Sequence, residues 1–192
     1  DRYRNRAERV KRIDDWVQAY GQRGSFLKVH RHRGRQYLPL VKKAAREQKI
    51  KYQDLYSFLM VESGFRTNKV SRSGAAGIAQ IMPGTARGLG LKVRNGRDDR
   101  LNPEKAIPAA AKLLKTYQAF FQKHYNYNSY AALENAMAGY NRGPYNTNGG
   151  LGNLLKKNKE VSFWHLDRAT LGRESYHYVP KVLATRKIIF GF

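Results

Sequence analysis

Residues 54–63 read as one helix in which Leu55, Phe58 and Leu59 share an apolar face, and the next position on that face, seven after Leu55, is Glu62. A carboxyl group placed there is drawn toward the core. Desolvation disfavours its charged form and raises its pKa, which is how a general acid keeps its proton near neutral pH. The same pattern fits a buried glutamate neutralised by one of the many Arg and Lys residues, so helical phase alone leaves both readings open. Other reactive groups are sparse. With no cysteine there is no thiol nucleophile and no thiolate metal site. The histidines make no i, i+4 pair, and neither His30-Arg31-His32 nor His177 is completed into a metal site, so no metal and no cofactor are expected. A second catalytic carboxylate is hard to find. None occurs between Glu62 and Asp98, Asp98-Asp99 reads as a solvated pair in an Arg-rich turn, and Glu174 heads a helix, where it stabilises the first turn.

The elements that must position these groups are almost all helical, because apolar residues recur at helical spacing and no alternating run is convincing as a strand. The expected class is mainly α, with helices at 39–49, 53–63, 104–122, 129–140 and 174–189. Asn102-Pro103-Glu104 looks like a cap, a first-turn proline and an acidic first turn, while Pro108 argues for a kink or a later start. Residues 84–100 and 143–172 are dense in Gly, Asn and charge and read as long loops. Residues 1–36 are rich in Arg, with a short apolar pattern at Trp16, Val17 and Tyr20. They read as a basic arm or linker ahead of a single domain over 37–192.

Thirty-seven Lys and Arg against fourteen Asp and Glu give a formal net charge of +23, which calls for a polyanionic partner or surface. Nucleic acid is not expected. The densest basic run, 28–35, is interleaved with His and Gly rather than with the aromatics of an RNA-binding sheet. An acidic cell wall fits the charge equally well, and so does a solvated surface that aids solubility. No run approaches the ~18 apolar residues of a membrane helix. The first residues, Asp1-Arg2-Tyr3-Arg4, carry no signal-peptide pattern, so the chain reads as a mature or trimmed form.

Four blocks follow one another along the chain: Glu62-Ser63-Gly64; Ser71-Arg72-Ser73-Gly74 running into Gly77-Ile78-Ala79-Gln80-Ile81-Met82-Pro83; Ala138-Gly139-Tyr140-Asn141-Arg142-Gly143; and Glu174 through Val182 around Tyr178. Together, over roughly residues 37–190, they resemble the lytic transglycosylases of the soluble type, most closely the membrane-bound lytic transglycosylase D branch, within the lysozyme-like superfamily. The resemblance implies a lysozyme-like helical domain with a glycan-binding cleft. Glu62 matches the family's catalytic acid and base, and Ser71 and Ser73 match hydroxyls that face the reacting sugar. Gln80 matches the cleft glutamine, and Met82 the backbone that contacts an N-acetyl group. Tyr140 and Asn141 match the pair that holds the N-acetylmuramoyl sugar, and Tyr178 the tyrosine hydroxyl close to the catalytic glutamate. Two positions depart from the usual pattern. Ile78-Ala79 stands where Leu with Met or Trp is common, and Gly139 where Ala is common. The smaller Ala79 would alter the adjoining sugar subsite rather than the reaction.

One carboxylate suffices if the substrate supplies the second group, as the 2-acetamido oxygen does in substrate-assisted glycosidases. The reaction implied is a non-hydrolytic cleavage of peptidoglycan strands that leaves 1,6-anhydro-muramoyl ends. It would take place in the periplasm or cell envelope, with any outer-membrane anchor upstream of Asp1 and with possible contact to anionic wall or membrane surface. A hydrolytic goose-type lysozyme shares the lone-glutamate logic. A non-catalytic wall-binding module of a secretion, conjugation or phage-entry apparatus would use the basic surface alone.

Overall fold

The computed structural model describes residues 2–145, 148–160 and 162–191. It is mainly α, with ten helices among these residues and a single short hairpin. In chain order the helices are α1 (Arg2–Gly21), α2 (Ser25–Val29), α3 (Leu38–Glu47), α4 (Tyr52–Ser63), α5 (Pro83–Gly88), α6 (Pro103–Tyr125), α7 (Ser129–Arg142), α8 (Leu151–Asn158), α9 (Arg168–Leu171) and α10 (Arg173–Phe190). The chain divides into two compact units, residues 20–113 with 185–192, and residues 1–19 with 114–184.

In the first unit α3 packs on α4, burying Val41, Ala44 and Ala45 together with Leu55, Phe58 and Leu59. Leu55, Phe58 and Leu59 are buried as the sequence suggests, but so is every residue from Asp54 to Met60, so α4 is enclosed on all sides over this stretch. Gly64 stops that helix: at φ 59° it takes the left-handed conformation, and its N–H donates to the Met60 carbonyl at 2.8 Å. Between α2 and α3 lie a π turn, His30–Gly34, and a 3-10 turn, Arg35–Tyr37. Tyr56 of α4 is fully buried against Phe65 and Phe190, and its hydroxyl meets His30 Nδ1. Gly34 is required there, since a Cβ would lie 2.0 Å from the Tyr56 hydroxyl. Asp54, buried in the first turn of α4, is ion-paired with Arg186 at 3.1 Å.

The segment 84–100, expected as a loop, is partly regular. After α5 it forms a hairpin of β1 (Val93–Arg94) and β2 (Arg97–Asp98), turned by Asn95-Gly96 with Gly96 at φ 76°. Two-residue strands are too short to show an alternating pattern. α6 begins as expected, with Asn102 Oδ1 accepting from the Glu104 N–H at 2.9 Å, and it continues through Pro108. The carbonyl that Pro108 leaves without its helical donor is that of Glu104, an exposed residue of the first turn.

The second unit is built on α7, whose residues 132–139 are almost wholly buried, with Leu114, Phe121, Leu151, Leu155, Phe163 and Val179 around it. The expected loop 143–172 contains α8, a 3-10 turn at Phe163–His165 and α9, all too short to carry a clear periodicity. Residues 2–21, read as an arm, form α1, and α1 is bound to this unit by polar contacts. Arg9 pairs with Glu134, which also accepts from Trp164 Nε1 at 2.7 Å. Trp16 Nε1 donates to His177 Nδ1 at 3.2 Å. Arg12 is only 5 % exposed, with its guanidinium over the rings of Tyr176, Trp164 and Phe163 at 3.6, 5.0 and 5.1 Å. Its Nη2 donates to the Tyr176 carbonyl. That carbonyl is the one that Pro180, inside α10, cannot serve, because proline has no N–H to return to residue i−4. Arg12 thus supplies from α1 the hydrogen bond that α10 lacks.

Candidate active site

Glu62 occupies the last turn of α4, half-buried, one residue before the fully buried Ser63 and two before the Gly64 cap. The helix is buried on all sides from Asp54 to Met60 and becomes partly exposed only at Val61 and Glu62. Ser63 Oγ donates to the Ile78 carbonyl at 2.7 Å and ties the helix end to the following loop. The Lys69 ammonium donates to the backbone carbonyl of Glu62.

The loop 69–81 closes on itself. Ala76 and Ile81 form an antiparallel bridge, and the Gly77 N–H donates to the Lys69 carbonyl at 2.8 Å. Ser71 Oγ accepts from the Ala75 N–H at 3.0 Å and lies 3.0 Å from Ser73 Oγ, so these two hydroxyls are brought together at the surface. Gln80, at φ 49°, spends its amide nitrogen on the carbonyls of Lys69 and Gly77, 3.0 and 2.8 Å away. Its first role is to brace the loop, and the amide oxygen is what it has for a ligand. Met82 is 43 % exposed and caps α5. Ile78 and Ala79 are fully buried, so the departure at these positions is a change in packing beneath the loop.

A residue that sequence reasoning missed holds this loop. Arg100, 6 % exposed, donates from Nη1 to the carbonyls of Gly74 and Ile81 at 2.7 and 2.9 Å, and from Nε and Nη2 to Asp98 at 2.9 and 2.7 Å. Gly77 passes so close to the Arg100 carbonyl that a Cβ would stand 1.8 Å from it. Asp98 and Asp99 are not a solvated pair as expected. The Arg100 hydrogen bonds hold the Asp98 carboxyl below its ordinary pKa, and Lys105, the Lys92 N–H and Arg97 do the same for Asp99, which is nearly buried. Only the dense Arg and Asp composition of 97–100 hinted at this network.

Tyr140, Asn141 and Tyr178 lie in the other unit. Tyr140 meets Tyr117 edge-on at 6.5 Å. The Asn141 amide is fixed at both ends: Ser175 Oγ donates to Oδ1 at 2.7 Å, and Nδ2 donates to Glu174 Oε1 at 3.1 Å. Glu174 therefore does more than stabilise the first turn of α10, and neither it nor Ser175 carried a signal as a partner of Asn141. Gly139 is explained locally, since a Cβ would lie 2.8 Å from Pro144 Cβ, so an Ala here would collide with the turn after α7. Tyr178 is 5 % exposed, its ring part of the packing of α10. Among the described residues no group of three or more His, Cys, Asp or Glu is placed to hold a metal ion.

Comparison with known proteins bears on this arrangement. Residues 39–163 match the family model described as Transglycosylase SLT domain. The span includes Glu62 through Asn141 and stops short of Tyr178. Over 178 residues the chain is 27% identical to the Membrane-bound lytic murein transglycosylase D of Escherichia coli, covering 93% of this chain and 37% of that protein. Over 79 residues it is 44% identical to the Peptidoglycan transglycosylase gp16 of Escherichia phage T7, covering 41% of this chain and 6% of that one. An X-ray structure of an inactive mutant of the lytic transglycosylase Slt from Pseudomonas aeruginosa superposes with a TM-score of 0.58 over 77% of this chain and 23% of that one, at 23% identity, which extends the likeness to the lysozyme-like helical fold. The chain thus spans well under half of the length of these relatives. Since the matched family span is nearly two thirds of the chain and carries Glu62 and the loop built around Ser71, Ser73 and Gln80, the chain belongs to the transglycosylase SLT domain family.

Proposed function

We propose that this chain cleaves the glycan strands of peptidoglycan at the bond between N-acetylmuramoyl and N-acetylglucosaminyl residues, without water, leaving 1,6-anhydro-muramoyl ends. The observation that carries the reading is Glu62, the one carboxylate at the surface end of a core-anchored helix, within the span that matches the family. Protonated, Glu62 gives its proton to the oxygen leaving toward N-acetylglucosamine as the 2-acetamido oxygen closes on the anomeric carbon. The resulting carboxylate then takes the proton of the muramoyl C6 hydroxyl, which attacks and forms the anhydro ring. Ser71 and Ser73 serve the reacting sugar, Gln80 and Met82 its neighbours, and Asn141 with Tyr140 and Tyr178 the muramoyl residue. The relatives' names, a peptidoglycan transglycosylase and a membrane-bound murein transglycosylase, agree with this substrate and with work in the cell envelope. The exposed Arg23, Lys28, Arg31 and Arg35 suit an anionic wall or membrane surface.

Mass spectrometry of muropeptides released from purified peptidoglycan tests the reading. Anhydro-muramoyl products are expected from the native chain, and Glu62→Gln should slow their release by roughly 10²–10⁴-fold, the range of a general acid–base contribution. Products heavier by one water would make the enzyme a lysozyme, and no product from the native chain would leave a wall-binding module.

A further inference from the structure

The carbonyls at the end of α4 are served by the loop that follows it. The Gly64 N–H donates to Met60, Arg66 Nε donates to the Ser63 carbonyl at 3.0 Å, and the Lys69 ammonium donates to the carbonyl of Glu62 itself. Water or a neutral donor would be enough for such a carbonyl. An ammonium brings a full positive charge as well, placed on the negative end of the helix dipole and on the residue whose carboxyl must change charge. Arg66 is exposed and Lys69 half-buried, so solvent screens the lysine less.

Lys69 is held from behind. Its own carbonyl accepts from the Gly77 N–H at 2.8 Å and from Gln80 Nε2 at 3.0 Å, contacts that close the loop carrying Ser71 and Ser73. The side chain thus reaches Glu62 from a backbone that the loop has fixed. The bonds of the Glu62 side chain keep its carboxyl within the screening length of that ammonium, about 10 Å near 0.1 M salt. Other charges pack around α4. Arg33, from the π turn, adds to the positive potential at this end, its Nη2 3.8 Å from where a Cβ on Gly64 would stand. His30 meets Tyr56 further back along the helix, and at its start Asp54 pairs with Arg186 while Lys42 of α3 lies over the Tyr52 ring. Lys69 acts on Glu62 directly, through the hydrogen bond.

We propose that Lys69 is a positioning residue for the acid–base step, fixing the end of α4 against the loop 69–81 and lending Glu62 a positive charge that stabilises its carboxylate between the two proton transfers. The inference rests on the proposed role of Glu62 as acid and base. Once Glu62 has given its proton to the leaving oxygen, it stays negative until it takes the proton of the C6 hydroxyl. Lys69 exchanges no proton in either step. It lowers the cost of the charged interval between them.

The test is a carbon-13 NMR titration of the Glu62 carboxyl in the full chain, its signal identified as the one that Glu62→Gln removes. Lys69→Met keeps the length of the side chain and deletes its charge, while Lys69→Arg keeps a charge and a donor. At 0.1 M salt Lys69→Met should raise the midpoint of the Glu62 titration by about 0.5–1 pH unit, and Lys69→Arg should leave it in place. Cleavage needs Glu62 protonated, so kcat/KM falls above that midpoint, and in Lys69→Met the fall should move to higher pH by the same amount. Below it, kcat should drop about tenfold in Lys69→Met alone. A midpoint unmoved by Lys69→Met overturns the proposal even if kcat drops, because loss of the loop's bracing would do that by itself. A midpoint that moves as far in Lys69→Arg overturns it too, since the charge is then not the cause. A midpoint that moves as expected in a native chain that cuts no strand refutes the proposed reaction and leaves the effect of Lys69 on Glu62 standing.

Discussion

At the residue scale, much of the site's geometry depends on a side chain that touches no reacting group. Arg100 links Gly74 and Ile81, the middle and the end of the loop 69–81 that carries Ser73 and Gln80, to Asp98. Lysine would keep the charge but not the fork that serves two carbonyls and a carboxylate at once. Arg100→Lys should therefore lower kcat by about 10²-fold through misplacement of the loop, with KM changed far less and the fold retained by circular dichroism. Arg100→Ala strands Asp98 and both carbonyls, and should cost about 3–5 kcal/mol in urea unfolding. A kcat that falls only in proportion to the folded fraction in both variants would make Arg100 purely structural. Helical phase singled out Glu62 as a candidate and a local block singled out Asn141, because periodicity and short motifs are written along the chain. Arg100, Ser175 and Glu174 were not, since their partners lie 26, 34 and 33 residues away.

At the scale of elements, the long helices were legible and the short ones were not. A helix such as α7 repeats its apolar face several times, whereas α5, α8 and α9 end within about two turns and are set by their contacts. The helix α1 was hidden for another reason. Its attachments to the second unit include cations, Arg9 and Arg12, which in sequence look like solvated charge. Replacing Arg12 by Met would fill the aromatic cage but leave the Tyr176 carbonyl without a donor, and should destabilise the protein by about 1–3 kcal/mol. Adding Pro180→Ala supplies the missing N–H from within α10, so the double variant should recover part of that loss. Strict additivity in thermal or urea unfolding would sink this account of the pair.

At the scale of the whole molecule, the formal charge of +23 makes acid costly. His30 and His177 are both held below the ordinary 6.5, His30 by desolvation and then Arg35 and Arg31, His177 by desolvation and its surrounding cations. Between the folded and unfolded pKa values the unfolded chain binds more protons. The contribution is therefore complete above 6.5 and declines as pH falls through the folded values. Asp98 and Asp99, also depressed, add a second loss below the ordinary 3.8. Melting temperatures recorded from neutral to acid pH should fall in two stages, and a variant carrying His30→Gln and His177→Gln should lack the first. A flat profile down to the carboxylate range would contradict the histidine assignment.

The division of the chain has a kinetic consequence. Residues 1–19 belong with 114–184, and residues 20–113 with 185–192, so each unit is closed by a segment far along the chain. Arg12 and Tyr176 are 164 residues apart, while Asp54 waits for Arg186 and Tyr56 for Phe190. All of these late partners are in α10. During synthesis neither unit can be completed until that last helix emerges, and such long loop closures slow folding. A ribosome-bound chain that stops before α10 would lack Arg186 and Phe190, the partners of Asp54 and Tyr56, so the helix that carries Glu62 would be locked in place only when α10 arrives.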